Sequence, residues 1–333
     1  NISVSGIIAT GSTAGNLTIA GTGTVTLSAV NTYHGSTTIN SGSTLALSGS
    51  GSIATSSGVI VNGTFTIAGA TGNTSITSLG GTNVDGLVLL GSKILTITAA
   101  TDTFLGTMGG YGALVLSGGT ETLSGTNTYS GNTTISGSGT KLIVGGSGTL
   151  GSGSYNGSIA IGSGSTLQYS SSTDQIFGGV ISGAGTLQKD TSSASTLTLS
   201  YTNTYTGPTN VVLGTVKVTS TGGLGSTSGV TVSSGGTLAL YSASGSITVS
   251  TPITLGSVVG TTGTLINLQG NNSIANLITL SGDATITSAQ NTLTISGTGG
   301  NAFTNAGGVT DNTLTLDANI GNVSVSGIIG IGT

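Results

Sequence analysis

Apolar and hydroxyl residues alternate along short stretches of the chain. Runs such as residues 64–67 and 94–98 carry Leu, Ile or Phe at every second position with Thr between them. Period two places the apolar side chains on one face of a strand and the Thr on the other. The runs stop at Gly, Ser or Asn, and no window shows a helical stripe. The pattern therefore predicts an all-β fold of many short strands.

A longer motif occurs three times and points to a repeat architecture. It combines a Thr-rich strand run, an Asn-Thr-Tyr-x-Gly element and a Gly-rich strand start, and the second copy lies further from the first than from the third. Unequal spacing argues against a propeller and favours a solenoid whose coils of about 20 to 25 residues stack while insertions loop out. The residues predicted to have structural roles in the motif are Asn31, Tyr33, Gly35, Asn127, Tyr129, Gly131, Asn203, Tyr205 and Gly207.

The octapeptide at residues 1–8 returns at residues 322–329 with seven of eight positions identical. This repetition predicts that a further unit starts near residue 322. We therefore expect residues 1–333 to form one continuous solenoid that is a segment of a longer array.

The ordered motif is similar to the autotransporter-associated β-strand repeat, over residues 5–50, 109–146 and 180–220. Pro208, Asn210 and Val211 depart from the pattern in the third copy. Members of that family are passenger regions of type V secreted surface proteins of Gram-negative bacteria. The resemblance implies a right-handed parallel β-helix at the bacterial cell surface, and it implies no catalytic residues because the repeat is a scaffold.

The composition removes several function classes. Gly, Thr and Ser number 62, 63 and 50 of 333 residues, charged residues are 4%, and Arg and Cys are absent. Thiol chemistry and disulfides are therefore excluded, and a net charge of −4 does not provide the basic surface that nucleic acids require. The hydrophobic fraction of 35% argues against disorder. The apolar runs fall short of the about 20 residues of a membrane-spanning helix.

Few residues are candidates for catalysis. Coil stacking would bring Asp174 and Asp190 to the carboxyl separation of a glycosidase, about 5 to 10 Å, only by chance. We therefore interpret the acids as solvated turn residues. His34 occupies a turn position that holds Ser130 and Thr206 in the other copies, which is typical of an exposed turn. The carboxylates are Asp85, Asp102, Glu121, Asp174, Asp190, Asp283, Asp311 and Asp317. No catalytic, cofactor or metal site is predicted.

Three further features have structural and functional alternatives. Residues 80–88 loosely resemble a calcium-binding β-roll repeat, but we predict a turn at Asp85, with weak Ca²⁺ binding left open. The motif Asn residues are expected to satisfy backbone groups and the Tyr rings to pack with wet hydroxyls; sugar stacking is the alternative. Lys93, Lys141 and Lys189 are equally spaced along the chain, which would align them on one face, but with only four lysines present we interpret the spacing as chance.

These observations favour a structural segment of a secreted surface protein, acting in adhesion or in self-association into a fibre or layer. The expected partners are other copies of the chain, end to end or side by side, and a host or matrix surface. End-to-end contact would join residues 322–333 of one copy to residues 1–12 of the next, with Ile328 and Ile331 at the joint. The alternatives are a polysaccharide-degrading β-helical enzyme and a passive stalk.

Overall fold

The computed structural model of the chain describes residues 1–10, 14–191, 193–256, 262–306 and 312–330. Its regular structure consists of β-strands and one turn of 3-10 helix at Gly151–Gly153. The strands in chain order are β1 (Ile2–Val4), β2 (Leu17–Ile19), β3 (Thr24–Leu27), β4 (Thr37–Ile39), β5 (Thr44–Gly49), β6 (Val59–Val61), β7 (Thr64–Ala70), β8 (Thr74–Ile76), β9 (Leu79–Gly80), β10 (Leu87–Leu89), β11 (Ile94–Ile97), β12 (Thr103–Phe104), β13 (Thr107–Gly109), β14 (Ala113–Leu116), β15 (Thr120–Leu123), β16 (Thr133–Ile135), β17 (Lys141–Val144), β18 (Ser154–Tyr155), β19 (Ile159–Ile161), β20 (Thr166–Tyr169), β21 (Gln175–Phe177), β22 (Ile181–Ser182), β23 (Thr186–Lys189), β24 (Thr196–Leu199), β25 (Thr209–Val211), β26 (Gly214–Val218), β27 (Val230–Val232), β28 (Gly236–Tyr241), β29 (Thr248–Val249), β30 (Ile253–Leu255), β31 (Gly263–Gln269), β32 (Asn272–Ile274), β33 (Ile278–Leu280), β34 (Ala284–Ser288), β35 (Thr292–Ile295), β36 (Asn301–Asn305), β37 (Leu314–Asp317), β38 (Asn322–Val325) and β39 (Ile328–Gly330).

The chain divides into two compact units, Asn1–Leu167 (unit 1) and Gln168–Thr333 (unit 2). In unit 1 the sheets run β1-β3-β5-β7-β10-β13, β2-β4-β6-β9, β8-β11-β14-β16-β19 and β12-β15-β17. In unit 2 they run β21-β24-β26-β28-β31-β34-β37, β23-β25-β27-β30-β33-β36-β39 and β29-β32-β35-β38. Neighbouring strands are parallel and come from successive coils. Each unit is therefore a right-handed parallel β-solenoid, as predicted.

Coil length varies more than the sequence predicts. Val25 pairs with Leu45, which gives a coil at the short end of the predicted range. In unit 2, however, Ile295 pairs with Val325, and the coil between them is longer than that range. The pairing of β35 with β38 keeps its register, whereas the pairs β5–β7, β28–β31 and β36–β39 each contain a register shift.

The core of each unit is a set of apolar ladders that run from coil to coil. In unit 1, Leu45, Phe65 and Val88 are successive pairing partners, and all three are fully buried. Burying a side chain of this size contributes about 1.5 to 3 kcal/mol. A single coil cannot bury its apolar face alone, so the stacking of coils creates the core.

The repeats of unit 1 do not share a face. The strand run of the first copy is β3, in the sheet with β1 and β5, whereas that of the second copy is β15, in the sheet with β12 and β17. The motif is therefore used at different corners of the cross-section. This shift, and not only looped-out insertions, contributes to the unequal spacing of the copies along the chain.

In each repeat a glycine stands at the first residue of the last strand or two residues before it, and we call these three the strand-starting glycines. Gly42, Gly139 and Gly214 have φ values of 78°, 79° and 79°. Residues with a Cβ rarely adopt this left-handed conformation. The Gly-rich strand start of the motif is therefore a turn signal.

Candidate functional site

Each copy of the motif builds a buried chain of hydroxyl groups. The Tyr33 hydroxyl lies 2.6 Å from the Thr37 hydroxyl, four residues further along. The equivalent pairs, Tyr129 with Thr133 and Tyr205 with Thr209, are each separated by 2.7 Å. The motif therefore includes the Thr at the start of the strand that follows its Gly.

The following coil supplies a third hydroxyl. Ser56 Oγ lies 2.9 Å from Thr37 Oγ1 and donates to the Gly35 carbonyl at 2.9 Å. Thr227 takes this place in the third copy, donating to the Gly207 carbonyl at 2.6 Å. In the second copy the group is the Tyr155 hydroxyl, which contacts Thr133 at 2.7 Å and donates to the Gly131 carbonyl.

These hydroxyls are not wet, which corrects the expectation from the sequence. Tyr33 is 1% exposed, and Tyr129 and Tyr205 are fully buried. Burial raises the pKa of Tyr33, raises that of Tyr129 well above its usual value, and raises that of Tyr205 to about 12, although the hydrogen bond from each neighbouring Thr acts in the opposite direction. Rings enclosed in this way are not platforms for sugar stacking.

The Asn of each motif joins adjacent coils. Asn127 Oδ1 accepts from the Met108 amide at 3.0 Å, and its Nδ2 donates to the carbonyls of Gly125 and Thr149. Asn31 and Asn203 make the same kind of link, accepting from backbone N–H groups of the preceding coil and donating to carbonyls of the next. A buried amide that is satisfied in this way holds three coils in register.

The Gly of the Asn-Thr-Tyr-x-Gly element is required by close backbone contact. A Cβ at Gly35, Gly131 or Gly207 would overlap a glycine carbonyl of the preceding coil. None of the three has positive φ. Their role therefore differs from that of the strand-starting glycines.

Glu121 is not a solvated turn residue, so that interpretation was wrong. Its side chain points into unit 1 from β15 and is fully buried, and neither carboxylate oxygen has a hydrogen-bond partner. Burial, followed by the charge of Asp102, raises its pKa well above the usual value. The Leu79 backbone partly offsets this rise, although it does not reach the geometry of a hydrogen bond. The alternation predicts this orientation, because Glu121 stands between two outward Thr where the first copy has Val25.

Lys189 is also buried, in unit 2, which agrees with the interpretation that the equal spacing of three lysines is chance. Its Nζ donates to the carbonyls of Leu213 at 3.3 Å and Asp190 at 3.4 Å, and lies 5.8 Å from the centre of the Tyr169 ring. Burial lowers the pKa of Lys189, and the charges of Asp190 and Asp174 partly offset this effect. Lys93 and Lys141 are half-exposed.

The remaining polar candidates form ordinary turns. Asp174 accepts from the Thr196 amide at 2.7 Å, and Asp190 accepts from the Gln188 side chain at 3.1 Å. Asp85 is exposed, and its amide donates to Asn83 Oδ1 at 3.1 Å. His34 is exposed. Across the described ranges, no group of three or more His, Cys, Asp or Glu side chains is placed to hold a metal ion; Asp311 and Ile331 lie outside those ranges.

One surface of unit 2 is regular along the solenoid, although Thr198 and Ala239 within it are buried. It consists of two rows of side chains on β24, β26, β28, β31, β34 and β37, and we call it the threonine face. Consecutive members of each row are pairing partners. The first row is Thr196, Thr215, Thr237, Thr264, Thr285 and Thr315, and the second is Thr198, Lys217, Ala239, Ile266, Thr287 and Asp317. Only two of the twelve side chains are charged.

The fold and its buried motif define a structural β-solenoid built from repeats. Three segments, residues 17–47, 107–140 and 192–218, match the model of the passenger-associated-transport-repeat, a repeat of autotransporter passengers. These three segments overlap the three ranges in which the sequence resembles an autotransporter passenger repeat. The family is one of secreted or cell-surface proteins.

No match to the chain was found among curated proteins or among solved structures. In the described part of the chain, no helix has the length and apolar character needed to cross a membrane.

Proposed function

We propose that the segment is a structural part of an extracellular passenger at the bacterial surface, and that copies associate side by side into a fibre or layer. The observation that carries this proposal is the threonine face, an ordered surface with two charges in twelve positions. Natural sheet proteins commonly use charged side chains to prevent association. A rigid surface with so few charges offers little resistance to contact with another copy.

The small number of surface charges supports the same proposal elsewhere on the chain. The chain has only twelve Lys, Asp and Glu residues among 333, and two of them, Glu121 and Lys189, are buried in the core. Hydroxyl groups keep the surface hydrated without long-range repulsion between copies. Association then depends on local concentration, which is high for a protein displayed on a cell.

Sedimentation velocity and negative-stain microscopy of the purified segment test this proposal. We expect concentration-dependent association and laterally joined particles in the micrographs. A single species at millimolar concentration would contradict the proposal and favour a passive stalk. Binding to a host or matrix surface by that single species would favour an adhesin.

We infer a non-enzymatic role. Two clefts of unit 2, each of about 260 Å³, support it, because one is lined by apolar and Thr or Ser side chains such as Val218 and Ile247, and the other by Ser, Asn and Gln. Neither lining contains a carboxylate, His or Lys. Cleavage of a polysaccharide by the segment, lost in Asp174→Ala or Asp190→Ala, would contradict this inference.

End-to-end association is a separate proposal. Ile328 and Ile329 are 64% and 43% exposed on β39. If this strand joins copies, Ile328→Asp shortens the assemblies while lateral contacts persist, because a charge on a strand edge opposes strand addition. Unchanged assembly length in the micrographs would contradict end-to-end joining.

A further inference from the structure

The threonine face has charges of opposite sign near its two ends. Lys217 lies on β26 and Asp317 on β37, in the same row and four coils apart, about 19 Å at the strand spacing of a sheet. Lys217 Nζ lies 5.8 Å from the centre of the Tyr241 ring, and Asp317 accepts from the Asn319 amide at 2.9 Å. The structure records no ion pair for either side chain within the described residues.

The midpoint of the row is apolar. Between Lys217 and Asp317 the row contains Ala239, Ile266 and Thr287, and Ile266 is two coils from each charge. Ile266 is half-exposed, whereas Ala239 is buried between its neighbours. From Lys217 to Asp317, the side chains of the row are therefore positive, small, large and apolar, small, and negative.

This order is self-complementary when two copies face each other with antiparallel solenoid axes. A two-fold axis along β31 places Ile266 against the same residue of the other copy. Lys217 then faces Asp317 of the other copy, and this pair occurs twice. In the first row Thr264 lies against its own counterpart, and Thr237 lies against Thr285. Closed two-fold interfaces of this isologous kind are the commonest in soluble oligomers.

We propose that a second copy of this chain docks on the threonine face by this two-fold arrangement. The inference rests on the proposed function and names the surface that pairs the copies. A closed two-fold contact gives dimers, so a fibre or layer needs a second contact between the pairs, such as the end-to-end contact proposed above. Five strands, β26, β28, β31, β34 and β37, overlap about this axis. At about four residues each they cover about 300 Å² per copy, well below the about 800 Å² per partner of a stable complex. The contact is therefore weak in dilute solution and is populated where the protein is crowded. The two ion pairs select the antiparallel orientation and suppress the parallel one, which would place like charges together.

Disulfide trapping tests the axis directly, because the chain has no Cys. Ile266→Cys would form a symmetric disulfide dimer under mild oxidation. The matched control is Thr254→Cys, a half-exposed outward residue at the middle of β30 on another sheet of unit 2. We expect Ile266→Cys to cross-link at least about tenfold faster than the control at the same protein concentration. Equal rates would overturn the proposed axis.

Charge exchange tests the orientation. In the Ile266→Cys background, Lys217→Asp or Asp317→Lys alone should slow cross-linking about tenfold, because each change replaces two attractive pairs by two repulsive pairs. The double variant should restore the rate. Single variants without effect, or a double variant as slow as the singles, would overturn the proposal.

Sedimentation of the Cys-free charge variants separates this inference from the proposed function. Association that persists unchanged in Lys217→Asp shows that copies join through another surface, so only the threonine face is wrong. Absence of association in the unmodified chain at any concentration contradicts both.

Discussion

Glu121 in unit 1 and Lys189 in unit 2 are charged residues at inward strand positions, yet their surroundings differ. The ammonium of Lys189 reaches two backbone carbonyls and a Tyr169 ring. The carboxylate of Glu121 has no hydrogen-bond partner, and the charge that acts on it, Asp102, has the same sign. The long Lys stem brings its charge to acceptors that every solenoid coil presents, whereas a carboxylate needs donors that parallel strands already use. The same inward position therefore tolerates a Lys better than a Glu.

Removing the Lys189 side chain would produce the largest effect. We expect Lys189→Ala to lower the free energy of unfolding by about 2 to 4 kcal/mol, because it leaves a cavity in the core and removes the donor to the Leu213 carbonyl. Urea unfolding followed by circular dichroism measures this change. Lys141→Ala, at a half-exposed strand position, is the control and should change stability by less than about 0.5 kcal/mol. Similar losses in the two variants would show that Lys189 is not held as described.

Lys189→Met separates volume from charge in the same experiment. The thioether fills much of the same space, so we expect a loss below about 1.5 kcal/mol. A loss as large as that of the Ala variant would assign the stability to the ammonium group and its carbonyl contacts.

Replacing Glu121 should act in the opposite direction. Val25 and Leu197 occupy its position in the other copies. We expect Glu121→Leu to raise the free energy of unfolding at pH 7 by about 1 to 2 kcal/mol, because an unpaired buried carboxyl is removed. The same urea assay measures it, with Asp85→Leu, at an exposed position of unit 1, as control. If Glu121→Leu lowered the free energy of unfolding instead, the carboxylate of Glu121 would have to make a stabilising contact, contrary to the absence of a hydrogen-bond partner.

The pH dependence gives the sign of this effect. The folded-state pKa of Glu121 is raised, so the folded protein binds this proton more tightly than the unfolded chain does. The resulting contribution to the free energy of unfolding is fully present below the unfolded pKa of about 4.3. It is lost as the pH rises from there through the folded pKa. The folded-state pKa of Lys189 is lowered, so burying its charge reduces the free energy of unfolding below that pKa. This reduction disappears as the pH rises toward the unfolded pKa of about 10.4. Glu121→Gln should remove the first dependence. Its persistence in that variant would assign it to another carboxyl.

The smallest effect concerns a polar group that is fully satisfied. Tyr205→Phe removes one hydroxyl from the chain linking Thr209 and Thr227, so we expect a loss of about 1 kcal/mol. Tyr111→Phe is the control, because Tyr111 is 85% exposed. Equal stability of the two variants in urea would mean that the buried hydroxyl chain contributes nothing.

The sequence predicted the parts of the motif that lie close together along the chain. Asn127, Tyr129 and Gly131 were selected from the repeated element alone, and the same alternation that predicted the strands also indicates that Glu121 points inward. Tyr155 was missed, although it completes the hydroxyl chain of the second copy by contacting Thr133 from the following coil. Because coil length varies, spacing does not identify the residue that stacks on a given position.

By itself the sequence determined the strand alternation, the strand-starting glycines and the repeat family, because each depends on neighbouring residues and on backbone conformation. Only the tertiary structure decided which corner each repeat occupies, which hydroxyl closes each buried chain, and which side chains share the threonine face. These depend on contacts between successive coils of unequal length, from the short coil that pairs Leu95 with Leu114 to the long one that pairs Ile295 with Val325. The reason is physical: local preferences act over a few residues, whereas the register of stacked coils is set by the length of every intervening turn.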